Sequence, residues 1–281
     1  MQTKSIHISI LKLMISKIRT PSVFVFFLIF LFTILTYKFW IVWLEFGPFA
    51  NDVDQYYSYL VAEFIHHDFS FKFNHFYWLV PSESGQLVPK VTMGMAYMYS
   101  PFFLIANNIA HAHGYDELGY SAPYMWCVHF GSITYSIIGL WYSRKSLILF
   151  FNEWITAATI LLILFGSNLF FYTYKESEMS HGYLFCLISV FIYHVLRWQQ
   201  TKKIKHLYYF SFFAGLITLI RPTEILILLF PMLVFVSNFK ELKLRFKEIF
   251  DLKWKLLLAV LFFLIPIIPQ LLFWKTYTGQ F

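Results

Sequence analysis

The sequence is poor in charge and almost free of cysteine. Only 13% of its 281 residues are Asp, Glu, Lys or Arg, whereas 59% are hydrophobic. Soluble domains carry about 25% charged residues, so this shortfall excludes an ordinary water-facing surface and places the chain in the membrane class. Both cysteines, Cys127 and Cys186, lie in apolar stretches. They offer no disulfide framework and no thiolate site, only two buried thiols. The chain also lacks a Gly-rich phosphate loop, an HExxH, a CxxC and a Ser-centred nucleophile elbow. Those absences count against ATP-driven transport and ordinary hydrolases. Lysine and arginine outnumber acidic residues by 22 to 15, but they fall in short runs between apolar segments. Such runs bias orientation across a bilayer rather than form a groove, so nucleic acid is not an expected partner.

Aromatic residues, by contrast, make up 22% of the chain, 35 of them Phe. Large rings suit lipid-facing and helix-packing surfaces. At about 20 residues per span, the length leaves room for roughly seven or eight membrane segments and one substantial loop. The expected fold is therefore all-α: a polytopic transmembrane helix bundle formed as one domain by residues 1–281, with amphipathic helices in a first external loop at 45–90.

Residues 1–20 carry Lys4, Lys12, Lys17 and Arg19 and read as a basic cytoplasmic lead-in. Residues 22–44 form a first span, uncleaved because no small-residue cleavage site follows, with Lys38, Trp40 and Trp43 near its outer end. The 45–90 loop holds Asp52, Asp54, Glu63, Asp68 and Glu83 against two lysines, which makes it external. Within it, residues 55–64 are expected to lie as a helix in the interface, and 69–80 to be further surface-lying chain. More apolar segments follow at 91–110, 124–142, 154–172 and 182–198. The interval 207–235 is too long for one span and breaks at Arg221-Pro222, so it reads as a broken hairpin with Arg221 at an apex near the outer face. Residues 254–274 make the last crossing, kinked by Pro266 and Pro269. If 91–110 and 124–142 both cross fully, Arg144 and the bases near Lys202 fall outside, against the positive-inside bias. Either 91–110 inserts only in part or the bias misleads; the agreement of three basic clusters places Arg144 inside.

Chemistry is confined to a few polar positions. Asp52 and Asp54 follow the first span, where a carboxylate could act as general base toward an acceptor hydroxyl or hold a divalent cation. Their spacing equally suits a solvated loop or a helix cap. The island TYKESEMSHGY at 173–183 contains Glu178 and His181, which share a face if a helix begins there and could bind a metal, a sugar hydroxyl or a diphosphate. Ser177 and Ser180 could instead simply cap that helix. Arg221 lies within an apolar run, where an ionisable residue points to function and a guanidinium suits a phosphate. A structural pair with Glu224 is the plainer alternative, and Lys90 is a second phosphate candidate.

Taken in order, NDVDQYYSYLVAEF, GMAYMYSPFFLIAN, YKESEMSHGYLF and GLITLIRPTE resemble bacterial multi-pass proteins of the GT-C glycosyltransferase superfamily, nearest to protein mannosyltransferase and aminoarabinose transferase relatives. The resemblance runs from about residue 22 to the end. It implies an inner-membrane enzyme that transfers a sugar from a polyprenyl-phosphate donor to a lipid, glycan or protein acceptor at the periplasmic face. It further implies Asp52, or less directly Asp54, as the essential carboxylate of the first external loop; Gln55 follows Asp54, so the Asp-Glu pair of several relatives is missing. Glu178 and His181 match a polar motif of the bacterial relatives, and Arg221 with Pro222 matches an Arg-Pro pair. Such proteins usually have more spans and often a soluble C-terminal portion, so the chain is expected to correspond to an N-terminal part. A non-catalytic protein that binds or flips a lipid-linked sugar, or an inactive remnant, are the alternatives.

Overall fold

The computed structural model describes residues 20–44, 49, 52–73 and 79–279. The basic lead-in through Arg19, the side chain of Trp43 and the middle of the 69–80 stretch lie outside the described residues. What is described is mainly helix. Helix α1 (Pro21–Leu44) opens with proline in its first turn, where a missing N–H costs nothing, and runs through Phe, Ile and Leu without a breaker. Helix α2 (Asp52–Val61) starts with two carboxylates in its first turn, which suit the positive end of the helix dipole. It continues as a π turn, Ala62–His66, and stops at His67 in the left-handed region.

Two corrections to the loop follow. The segment expected to lie half-wet in the interface is instead buried on all sides from Val53 to Ala62. Tyr57 stacks on Phe49 at 4.1 Å between ring centres and donates to the Gly119 carbonyl at 2.5 Å, so α2 is a core element. Phe71, expected on the surface, is also buried, edge-on to Tyr59 and Phe273. Beyond it a short hairpin forms from β1 (Val80–Pro81) and β2 (Leu87–Val88), paired antiparallel around Gly85 at φ 80°.

Helix α3 (Gly94–His113) packs antiparallel to α4 (Ala122–Leu147). Phe102 packs on Gly131 and Tyr135, and Tyr124 donates to Asn107. Helices α5 (Glu153–Phe165) and α6 (Leu169–Tyr174), separated by a break at Gly166, lead the chain back. Helix α7 (Ser180–Thr201) then lies parallel to α4, Val128 meeting Tyr183 and Ser143 meeting Ser189.

Helix α8 (Ile204–Ile220) returns against α7, with His194 facing His206 at one end and Arg221 reaching Ser180 at the other. A 3-10 helix, Pro222–Leu228, and α9 (Leu229–Leu233) bring the chain back until Pro231 meets Gln199, so the broken hairpin is present with Arg221 at its apex. Helix α10 (Phe239–Phe250) precedes the pair α11 (Trp254–Leu264) and α12 (Ile268–Tyr277), bent by 55° between them. Among the described residues α1 alone is long and apolar enough to cross a bilayer as a single helix, and α11 with α12 passes the same test as a bent pair.

The bundle thus has two ends. At the first, Arg144 donates from Nη2 to Glu153 Oε1 at 2.8 Å and from Nε to Ser22 Oγ at 2.6 Å, and the Ser22 amide donates to Glu153 Oε2 at 3.2 Å. This clasp ties the start of α1, the last turn of α4 and the start of α5 together. Helix α11 crosses α8 so closely that a β-carbon on Gly215 would overlap the Phe263 carbonyl oxygen. Gly215→Ala is therefore expected to lower stability by roughly 1–3 kcal/mol through overpacking against rigid backbone. A thermal unfolding midpoint unchanged from wild type would show that the two helices can part without cost.

The polar and apolar surfaces are arranged in an unusual sense. His129, Ser132, Ser136, Thr156 and Thr173 are buried among the helices, while Phe27, Phe30 and Leu35 stand exposed along α1.

Candidate functional site

The start of α2, the apex at Arg221 and the start of α7 meet at the second end of the bundle. Helical spacing decides which carboxylate takes part, because residues two apart on a helix point to different faces and residues four apart share one. Asp52 and Tyr56 share a face. The Tyr56 phenol is held above its usual pKa by burial first and by the Asp52 charge second, while a hydrogen bond to Ser180 and the Arg221 charge act the other way. Asp52, Tyr56, Ser180 and Arg221 are therefore neighbours. Asp52 is exposed and Arg221 half-buried. The guanidinium donates from Nη2 to Ser180 Oγ at 3.0 Å.

Asp54 is fully buried and turned elsewhere, toward Tyr120, whose phenol is raised by burial first and by the Asp54 charge second. The two aspartates thus do not act on one spot. Lys90 is exposed, and its backbone N–H donates to Gln55 Oε1 at 2.8 Å. Glu224 gives its amide to the Arg221 carbonyl at 2.9 Å, and among the described residues no ion pair joins the two side chains. The plainer structural pairing is therefore not what holds Arg221.

Glu178 and His181 also separate. Helix α7 begins at Ser180, so Glu178 precedes it and the two do not share a helical face. Glu178 turns inward: Ser177 Oγ donates to Glu178 Oε1 at 3.0 Å and itself lies 2.7 Å from His129 Nδ1, all three side chains being buried. The Tyr99 hydroxyl donates to the Glu178 carbonyl. His181 stays half-buried, stacked on Tyr172 at 4.0 Å. Neither Ser177 nor Ser180 caps the helix; one holds Glu178 and the other receives Arg221. No group of three or more His, Cys, Asp or Glu able to hold a metal occurs among the described residues. The set Asp52, Asp54, Glu178 and His181 is not assembled around one point.

Burial raises the Glu178 carboxyl to about 7. The folded state then binds a proton more tightly than the unfolded chain, so stability is full at low pH and declines as pH rises from about 4.5 through about 7. The decline is expected to be on the order of 2–3 kcal/mol at most. Glu178→Gln, which keeps the shape and stays neutral, should flatten it; a variant melting curve that falls with pH as steeply as wild type would show that Glu178 is not its source.

Along the same face of α2 as Asp52 and Tyr56 come Tyr59 and Glu63, and these line a cavity of about 540 Å³. Its wall is otherwise largely aromatic and aliphatic, with Phe64, Phe69, Tyr97 and Phe273 among its residues. At 1.5 Å per residue, Tyr56 and Leu60 are separated by roughly 6 Å along the helix. A polar cluster and an apolar cavity are thus consecutive on one helix face.

Tyr56 and His129 were not picked out by reading the sequence. Once a helix is started at Asp52, the four-residue spacing supplies Tyr56. Nothing local marks His129, which reaches Ser177 across 48 positions.

No protein-family model matches the chain, and neither a curated protein nor a solved structure matches it.

Proposed function

We propose that the protein is a multi-pass membrane enzyme that transfers a sugar from a polyprenyl-phosphate donor to a hydroxyl-bearing acceptor at the face where Arg221 lies. The observation that carries this reading is the arrangement around the start of α2: the charges of an exposed carboxylate, Asp52, and a half-buried guanidinium, Arg221, both act on the Tyr56 phenol, and a largely apolar cavity follows along the helix. A lipid phosphate has matching parts, an anionic head for Arg221 and a long apolar chain for the cavity. Membrane residence is supported by the buried hydroxyls and imidazoles and the exposed Phe and Leu of α1, the reverse of a water-facing helix.

In this mechanism Asp52 takes the proton of the acceptor hydroxyl as the oxygen attacks the anomeric carbon. The bond to the phosphate oxygen breaks, and Arg221 bears the charge that gathers on the departing lipid phosphate. Tyr56 and Ser180 hold Arg221 and the attacking group in register. The face is periplasmic in a bacterial inner membrane if residues before Pro21 are cytoplasmic, since the Arg144 clasp puts the start of α1 at the opposite end from Arg221.

The test is donor turnover: purified protein with a polyprenyl-phosphate-linked sugar and a panel of acceptors, measured as release of the lipid phosphate. Release that requires protein and acceptor supports the reading; donor that binds yet is never consumed favours the alternative of a protein that binds or flips a lipid-linked sugar. That alternative needs Arg221 and the cavity but not Asp52.

A further inference from the structure

Away from the site, α10 combines two features that nothing among the described residues satisfies. It is a well-made helix in its own right: Asn238 accepts from the Glu241 amide at 3.0 Å, and Glu241 Oε2 accepts from the Ser237 amide at 2.7 Å. One side of it is pinned to the bundle, Arg245 Nη1 donating to the Pro231 carbonyl at 2.9 Å and Glu248 pairing with Lys202. The opposite side carries Phe239, Phe246 and Phe250, at the seven- and eleven-residue spacing of one helical stripe, exposed by 83%, 45% and 69%. Lys240, Lys243 and Lys247 flank that stripe, and Lys253 and Lys255 follow beside an exposed Trp254. All five lysines are exposed, and among the described residues none of them has a carboxylate within ion-pair distance.

We infer that α10 is a docking helix for an anionic phospholipid surface, its phenylalanines entering the acyl boundary and its lysines meeting the lipid phosphates. Charge complementarity and continuity decide the occupant. Exposed aromatic rings beside uncompensated lysines on one face match a layer that is apolar below and anionic above. Helix α11, part of the bent pair apolar enough to cross a bilayer, begins four residues after Phe250, so the docking face adjoins that segment. Both features lie at the Arg144 end, opposite Arg221, because Lys202 closes α7 there. The inference rests on the membrane reading above and adds to it a leaflet and a lipid class.

The experiment compares amide hydrogen exchange of the full chain in phosphatidylcholine nanodiscs with and without phosphatidylglycerol. Residues 239–250 are expected to exchange about tenfold more slowly when phosphatidylglycerol is present, with α4 and α7 unaffected. The Lys240→Gln, Lys243→Gln, Lys247→Gln triple variant should lose that gain, and Phe246→Ser should raise exchange in both lipids. Equal exchange of 239–250 in the two lipids overturns this inference and leaves the membrane reading intact. The same gain produced by inorganic phosphate in phosphatidylcholine discs also overturns it, since the ligand is then a free anion. A chain that does not enter discs overturns both.

Discussion

Asp52→Asn should reduce sugar transfer by roughly 10²–10⁴-fold while donor binding changes little, because the amide cannot accept the acceptor proton but keeps the shape of the carboxylate. The separation of rate from binding is the informative part. Asp52 is exposed at the start of α2, so its replacement leaves no buried gap and the helix need not refold. Asp54→Asn is the matched control: it lies two residues on, buried and turned toward Tyr120, and should affect stability more than transfer. The measurement is lipid-phosphate release at saturating donor alongside donor affinity. Full transfer by the Asp52 variant would remove the general base from the mechanism and leave the binding-protein alternative in front.

Arg221→Gln should weaken both steps. Loss of the guanidinium removes the cation that the structure places on Ser180 and near Tyr56, and charge stabilisation of this kind is worth on the order of 10²–10³ in rate. Donor affinity should fall as well, since the same group meets the phosphate in the ground state. Arg221→Lys keeps the charge but cannot form paired contacts, so it should restore part of the binding and little of the rate. Because the residue is half-buried at the hairpin apex, the variants need a folding check by thermal unfolding. Unimpaired affinity in a folded Arg221→Gln protein would mean that the phosphate is bound elsewhere.

The parts of this molecule legible in its sequence are those set by local chemistry. The order of apolar segments, the break at Arg221-Pro222 and the bend near Pro266 depend on composition over a few neighbouring residues, and the structure has them where they were expected. The 154–172 segment, expected unbroken, is interrupted at Gly166. The site was half legible. The charges of Asp52 and Arg221 both reach Tyr56, but Glu178 and His181 were paired on the premise of a helix that starts earlier than Ser180. The burial of α2 could not be read at all: a run of Tyr and Ser looks amphipathic alone, and only Phe49, Tyr120 and Phe103 packing around it make it core. The hairpin at Val80–Val88 had a readable cue in Gly85, the residue able to take a left-handed turn.

The clasp of Ser22, Arg144 and Glu153 also has a bearing on biosynthesis. Ser22 and Glu153 are separated by 131 positions, so the clasp on the start of α1 cannot be completed until Glu153 has been made. Until then α1 has only its α4 partners, Phe26 against Trp141 and Ser22 with Arg144, and its long apolar surface is otherwise uncovered. Arrest of translation before and after residue 153 should then divide nascent chains into two classes, one with α1 extractable by mild detergent and one with it locked. The ion pair works as a latch that closes only once α5 has begun.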